Sequence, residues 1–179
     1  MVATPSPAFE LLPSHQLASA QRRAILALCE AVFAEDFSAL FALLPESAHV
    51  LVWADRALVA HACWVERWLR PEGLPLLRTA YVEAVAVLPE CRRRGWGTLA
   101  MRRIGEAIGG YDLGGLATGS PSFYARLGWE QWRGPTAIRM ADGLLPTPDE
   151  RPMILRTTRT PPLDLDGLLT AEWRLGELW

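Results

Sequence analysis

Lysine is absent from this chain. All 18 basic residues are arginine, they face 20 acidic residues, and the net charge is −2. That balance leaves no basic surplus to hold a polyanion, which argues against a nucleic-acid-binding domain. The arginine bias reads in two ways, as many bidentate anion contacts or as GC-rich codon usage. Cysteine is scarce as well. Cys29, Cys63 and Cys91 are odd in number and no Cys-x-x-Cys pair occurs, while His15, His49 and His61 are scattered. Neither a disulfide framework nor a zinc cage is expected, so no metal is assigned. No stretch approaches the roughly 20 apolar residues of a membrane span. The first 13 residues lack the basic and apolar blocks of a secretory leader, and the expected location is cytoplasmic.

Half of the residues are hydrophobic, and 179 residues suffice for one domain with its own core, expected over 1–179. Helical spacing of Ile25, Leu28, Cys29 and Val32 predicts a helix over 19–33, with Ser19 as its cap. Residues 49–53 and 58–69 read as an antiparallel hairpin turning at Ala54, Asp55 and Arg56. Arg70-Pro71-Glu72-Gly73 is turn chemistry, and 78–87 forms another long strand. A helix is expected from Thr98 to Ile108, stopped by Gly109-Gly110. A short strand over 112–116, a short helix over 121–127, a loop over 141–152 and a strand over 153–157 complete the pattern.

The strongest chemical signal is a strand, then Arg92-x-x-Gly95-x-Gly97, then a helix. A pyrophosphate needs converging donors, and the first N–H groups of a helix are unpaired and carry positive potential. Glycine lets the backbone approach, and Arg92, Arg93 and Arg94 add charge. The segment has neither the three glycines of the dinucleotide fingerprint nor the Gly-Lys-Ser/Thr of a P-loop. A basic loop that merely enters a helix is the plainer reading.

In this order of elements the chain resembles the GNAT acetyltransferases, whose Gln/Arg-x-x-Gly-x-Gly/Ala signature is met by Arg92 to Gly97. It is similar in particular to the aminoglycoside 2'-N-acetyltransferases. Tyr81-Val-Glu-Ala-Val-Ala-Val87, Phe123-Tyr124-Ala125-Arg126-Leu127-Gly128-Trp129, Gly134-Pro135-Thr136, Thr147-Pro148-Asp149 and the ending Trp173-Arg-x-Gly-Glu-Leu-Trp179 carry the likeness. The resemblance implies an α/β (mixed α+β) fold: a mixed central sheet, splayed near its middle and flanked by helices. It implies acetyl-CoA as cosubstrate, with the backbones of Val85 and Val87 against the pantetheine arm. Arg92, Arg93, Arg94, Gly95, Trp96, Gly97 and Thr98 would hold the pyrophosphate.

Two further roles follow from the resemblance. Glu83, on the strand before the loop, is the candidate base for the acceptor amine; an ordinary outward strand glutamate is the alternative. Tyr124 is the candidate acid for the leaving thiolate; a packed core tyrosine is the alternative. The tail would bring Glu177 and the carboxylate of Trp179 to a polycationic acceptor, together with Asp36 and Glu150; otherwise it is a hydrophobic plug. Leu40-Phe41 stands where the family carries a further acid, and Ala117-Thr118 where it carries a serine. Fewer acids suit an acceptor with fewer ammonium groups, and kasugamycin is the expected drug, with resistance as the outcome. A homodimer is the family's common assembly. Another small amine as acceptor, or an acyl-CoA-sensing module without catalysis, remain as alternative functions.

Overall fold

The computed structural model describes residues 8–34, 37–44 and 46–179. The chain forms two compact units. One takes residues up to Val65 together with Glu83–Ile104, and the other takes Glu66–Val82 with Gly105–Trp179. Strands and helices form a mixed α/β arrangement, as the resemblance implies.

In the first unit β1 (Ala8–Pro13) pairs antiparallel with β2 (Ala48–Ala54), and β2 turns back into β3 (Ala57–Pro71), which belongs to this unit as far as Val65. The turn places Asp55 and Arg56 at φ 49° and 65°, the left-handed pair whose twist matches a hairpin. A bulge between Val52 and Trp53 shifts the register of this hairpin by one residue. Helix α1 (Ser19–Phe33) buries Ile25, Leu28 and Cys29 against Leu51, Leu58 and Ala86, joined by Phe37 and Phe41 of α2 (Phe37–Ala42). Ser19 is not the cap: the cap position is Ala18, one residue earlier, and the Gln21 side-chain carbonyl accepts from the Ala18 N–H at 2.8 Å. Neither β1 nor α2 follows from the sequence pattern; each has only six residues, too few to establish a period.

Strand β4 (Leu77–Val87) leads through a 3₁₀ turn at Pro89–Cys91 into α3 (Trp96–Ala107). The helix starts two residues before its expected position and so takes in Gly97. In the second unit β5 (Leu113–Leu116), α4 (Pro121–Ala125), β6 (Glu130–Gln131), β7 (Thr136–Met140), β8 (Gly143–Pro146), β9 (Met153–Arg156) and β10 (Leu169–Glu172) follow. The strand order is β6-β9-β5-β4-β3-β10-β7-β8. The β4–β5 and β7–β10 pairs are parallel, whereas β3–β10, β5–β9, β6–β9 and β7–β8 are antiparallel, which makes the sheet mixed.

The expected loop over 141–152 contains β8, an edge strand paired to β7. Its Leu144 and Leu145 are both exposed, so no inward–outward alternation marks it in the sequence. β10 likewise has no sequence signal of its own. On β5, a Cβ at Gly115 would come within 2.8 Å of the Tyr81 ring, so glycine is what lets that ring lie across the strand.

Candidate active site

β4 pairs with β5 only from Thr79 to Tyr81. Beyond that point the edge of Ala84–Val87 away from β3 carries no strand in register among the described residues. Such an edge presents backbone groups to an extended ligand. Val85 and Val87 are half-buried along it, while Ala86 alternates into the core. Between Glu83 and Val85 the chain kinks: Ala84 takes φ 52°, a left-handed value that an alanine in a strand rarely adopts. Glu83 itself is half-buried immediately before the kink.

The Arg92–Thr98 loop follows on the same unit. Gly95 has φ 85°, with open space around the position of a Cβ, and its carbonyl accepts from the Leu99 N–H at 3.0 Å. That is the first helical bond, so the N–H groups of Trp96, Gly97 and Thr98 precede the ladder. Arg92, Arg93 and Arg94 are exposed beside them, Arg93 also at positive φ. Unladdered amides, a helix N-terminus and three cations around an open glycine suit a pyrophosphate.

The remaining expected residues belong to the second unit. Tyr124 is buried, edge-on to Phe123 and Trp129. Burial pushes its phenol above the ordinary value, and a hydrogen bond with the Thr118 side chain partly offsets this. The phenol is therefore a neutral O–H at pH 7, able to give a proton. Thr118 lies in the region where the family's serine is missing, and it supplies the hydroxyl that touches Tyr124.

In the tail, Trp179 is 5% exposed and its indole N–H donates to Thr147 Oγ1 at 2.9 Å. The Thr147 carbonyl accepts the Glu150 N–H at 3.1 Å. Trp179 and Glu150 are thus brought to one turn. Glu177 is exposed, and its carbonyl is held by the Arg174 guanidinium. Asp36 lies outside the described residues. One acid not singled out in the sequence, Glu172, is already matched: Arg67, 1% exposed, donates to it at 3.2 Å and Arg139 approaches at 3.6 Å. Arg67 also lies over the Tyr81 ring at 4.7 Å.

A second unanticipated feature is a cluster under α1. His49, His61 and Cys63 share one face of the β2–β3 hairpin, and their donor atoms lie within 4.8 Å of one another. Two of the three histidines scattered in the sequence therefore converge. The ring nitrogens are held by protein partners: His49 Nδ1 meets His61 Nε2 at 3.0 Å, and His61 Nδ1 meets the Ala84 carbonyl at 3.0 Å. Burial pushes His49 down to about 4, with Arg22 adding to the shift, and pushes His61 down to about 3, with His49 adding to it. The pair folds neutral. Because both values fall below the unfolded value of about 6.5, their stabilisation is fully present above that pH. It is lost as pH falls toward 4 for His49 and 3 for His61. Thermal midpoints should decline between about pH 6.5 and 5, and His49→Gln should flatten that slope; an unchanged slope would exclude the pair as its source.

The GNAT acetyltransferase domain matches residues 15–132. An aminoglycoside 2'-N-acetyltransferase of Mycolicibacterium fortuitum is 34% identical over 138 residues, which is 73% of this chain and 70% of that protein. The chain belongs to the GNAT acetyltransferase family. The fold agrees. ElaA of Escherichia coli superposes with a TM-score of 0.62 at 18% identity, over 84% of this chain and 100% of ElaA. The GNAT-family N-acetyltransferase YhbS of Escherichia coli, solved in complex with CoA, gives 0.60 at 15% identity over 93% and 91%. Members of the GNAT family use acetyl-CoA, and the loop at Arg92–Thr98 has the donor set for its pyrophosphate. No helix among the described residues is long and apolar enough to cross a membrane.

Proposed function

We propose that this GNAT acetyltransferase transfers the acetyl group of acetyl-CoA to the 2'-amine of an aminoglycoside, with resistance as its consequence. The observation that carries the acceptor class is the 34% identity to an aminoglycoside 2'-N-acetyltransferase over 70% of its length. The coenzyme reading rests on the amides of Trp96, Gly97 and Thr98 and the open edge after Ala84. Bound there, the coenzyme supplies an activated acetyl thioester.

The chemistry asked of the protein is then modest. Glu83 takes a proton from the acceptor ammonium and frees the nitrogen lone pair. That nitrogen bonds to the acetyl carbon as the carbon–sulfur bond breaks. Tyr124, protonated at pH 7, gives its proton to the departing sulfur; the acylated nitrogen sheds its second proton, which restores the phenol, and the first leaves Glu83 to solvent. Tyr124→Phe should lower kcat about 10²-fold, the low end for proton transfer because a thiolate already leaves well. Its affinity for acetyl-CoA should hold. Normal kcat in Tyr124→Phe with chemistry rate-limiting would remove the acid role.

For the acceptor, Glu150, Glu177 and Trp179 are the proposed contacts, with Asp36 as a further acid. Trp179→Ala deletes the indole bond to Thr147 and should raise KM for the drug far more than for acetyl-CoA. An unchanged drug KM in the folded variant would leave the tail as a plug. Glu172 is neutralised by Arg67 and Arg139, and Leu40 stands where an acid was expected, so few carboxylates remain for ammonium groups. This favours a less cationic drug, and kasugamycin is the specific choice. The test compares kcat/KM for kasugamycin and gentamicin-type drugs. We expect a preference above about a hundredfold, since a buried unpaired charge costs several kcal/mol; equal values would refute the choice.

A further inference from the structure

We propose that His61 is a positioning residue for acyl transfer, its Nδ1–H latching the Ala84 carbonyl and so holding the kink of β4 beside Glu83 and Val85. The proposal rests on the acetyltransferase reading for its consequence, but the latch is a property of the first unit alone.

The kink creates the need. In a regular strand successive carbonyls point toward opposite neighbours and are used by the ladders. At Ala84 the left-handed φ of 52° breaks that alternation. The Glu83 and Ala84 carbonyls, adjacent in sequence, are both met by side chains from one face of β3. Cys63 Sγ donates to the Glu83 carbonyl at 3.5 Å, and His61 Nδ1 reaches the Ala84 carbonyl at 3.0 Å. A thiol is a weak donor, so the imidazole is the stronger of the two. Without it the part-buried Ala84 carbonyl would lose this hydrogen bond while an alanine stayed in a disfavoured conformation.

The direction of the protons follows. A carbonyl only accepts, so His61 Nδ1 carries hydrogen. Neutral His61 then has a bare Nε2, which accepts from His49 Nδ1–H at 3.0 Å. His49 Nε2 is in turn bare and faces the Ser47 hydroxyl at 2.8 Å. The Leu44 carbonyl stands at the same 2.8 Å and competes for the hydroxyl's single proton. The opposite tautomers would set lone pair against lone pair at Ala84. Ser47, His49 and His61 are all buried, so the chain is shielded from water. It ends on a backbone carbonyl rather than on Glu83, and therefore orients the strand without conducting protons.

Asparagine and glutamine separate this role from simple core filling. In His61→Asn the new side-chain amide N–H falls near the place of Nδ1, whereas in His61→Gln it reaches the place of Nε2 and leaves Ala84 unlatched. Acetyl transfer to an aminoglycoside, acetyl-CoA KM and thermal midpoint are measured for both. We expect His61→Gln to lose about 10²-fold in kcat, the effect of a misplacement near 1 Å. His61→Asn should keep most of the turnover at a comparable midpoint. Turnover in His61→Gln equal to or above that of His61→Asn would overturn the proposal, as would equal losses that track stability. Nitrogen-15 NMR of the histidines in the wild-type protein at pH 7 provides a second arm that needs neither variant nor substrate. Hydrogen on His61 Nδ1 and His49 Nδ1 supports the latch; hydrogen on His61 Nε2 overturns it. If no amine is acetylated by the wild type, the acetyltransferase reading fails while the proton positions still decide the latch.

Discussion

Replacing Glu83 by glutamine should lower kcat/KM by about 10²–10⁴-fold, the span that a positioned general base contributes. The loss should be greatest below the pKa of the acceptor amine. There the acceptor arrives as ammonium, and a proton must leave before nitrogen can attack. As pH rises, free amine accumulates and the variant should approach the wild type. Glutamine keeps the size and hydrogen-bonding shape of the side chain and removes only its capacity to take a proton, so folding should be little affected. Glu83 is half-buried on the strand that lines the open edge, next to the Ala84 kink, where a displaced backbone would also displace its carboxylate. A pH–rate profile for Glu83→Gln that parallels the wild type at every pH would exclude it as the base.

The second large effect is expected at Gly97. Trp96, Gly97 and Thr98 form the first turn of α3, before its ladder begins at Leu99. Gly97→Asp introduces a negative charge at a helix N-terminus, where the helix itself welcomes it. The thermal midpoint should therefore hold or rise. The coenzyme pyrophosphate meets the same charge as a repulsion and loses access to the amides. Losing even two charge-assisted hydrogen bonds, each worth about 1.5–3 kcal/mol, weakens binding more than about a hundredfold. Gly95→Asp is a less clean test, because φ 85° strains any side chain there whatever the ligand. Calorimetry showing wild-type affinity for acetyl-CoA in folded Gly97→Asp would remove the loop from the coenzyme site.

The Arg92–Thr98 loop and the helix it enters were legible in the sequence because their signals are local: arginines, two glycines and the start of an amphipathic helix lie within a few residues. The hairpin was legible for the same reason, but its face assignment was not. The bulge between Val52 and Trp53 moves the register by one residue, and a one-residue slip exchanges the faces of a strand. With it, His49 stands opposite Cys63 and shares a face with His61; a regular hairpin would have separated them. The kink at Ala84 left no mark either, since alanine has no preference for left-handed backbone. β8 was hidden by two exposed leucines, and β10 by its dependence on partners more than thirty residues away in β7 and about a hundred away in β3. Tertiary pairing, not local propensity, makes these strands.

Acetyl transfer to the 2'-amine of an aminoglycoside can be measured on the wild-type protein. The most direct measurement incubates the purified protein with acetyl-CoA and kasugamycin, follows free thiol, and locates the new amide in the product by NMR. Drug-dependent thiol release and a single acetamide at the 2' position are expected. Thiol release no faster than without drug across kasugamycin and gentamicin-type drugs, or an acetamide at a different amine, would contradict it.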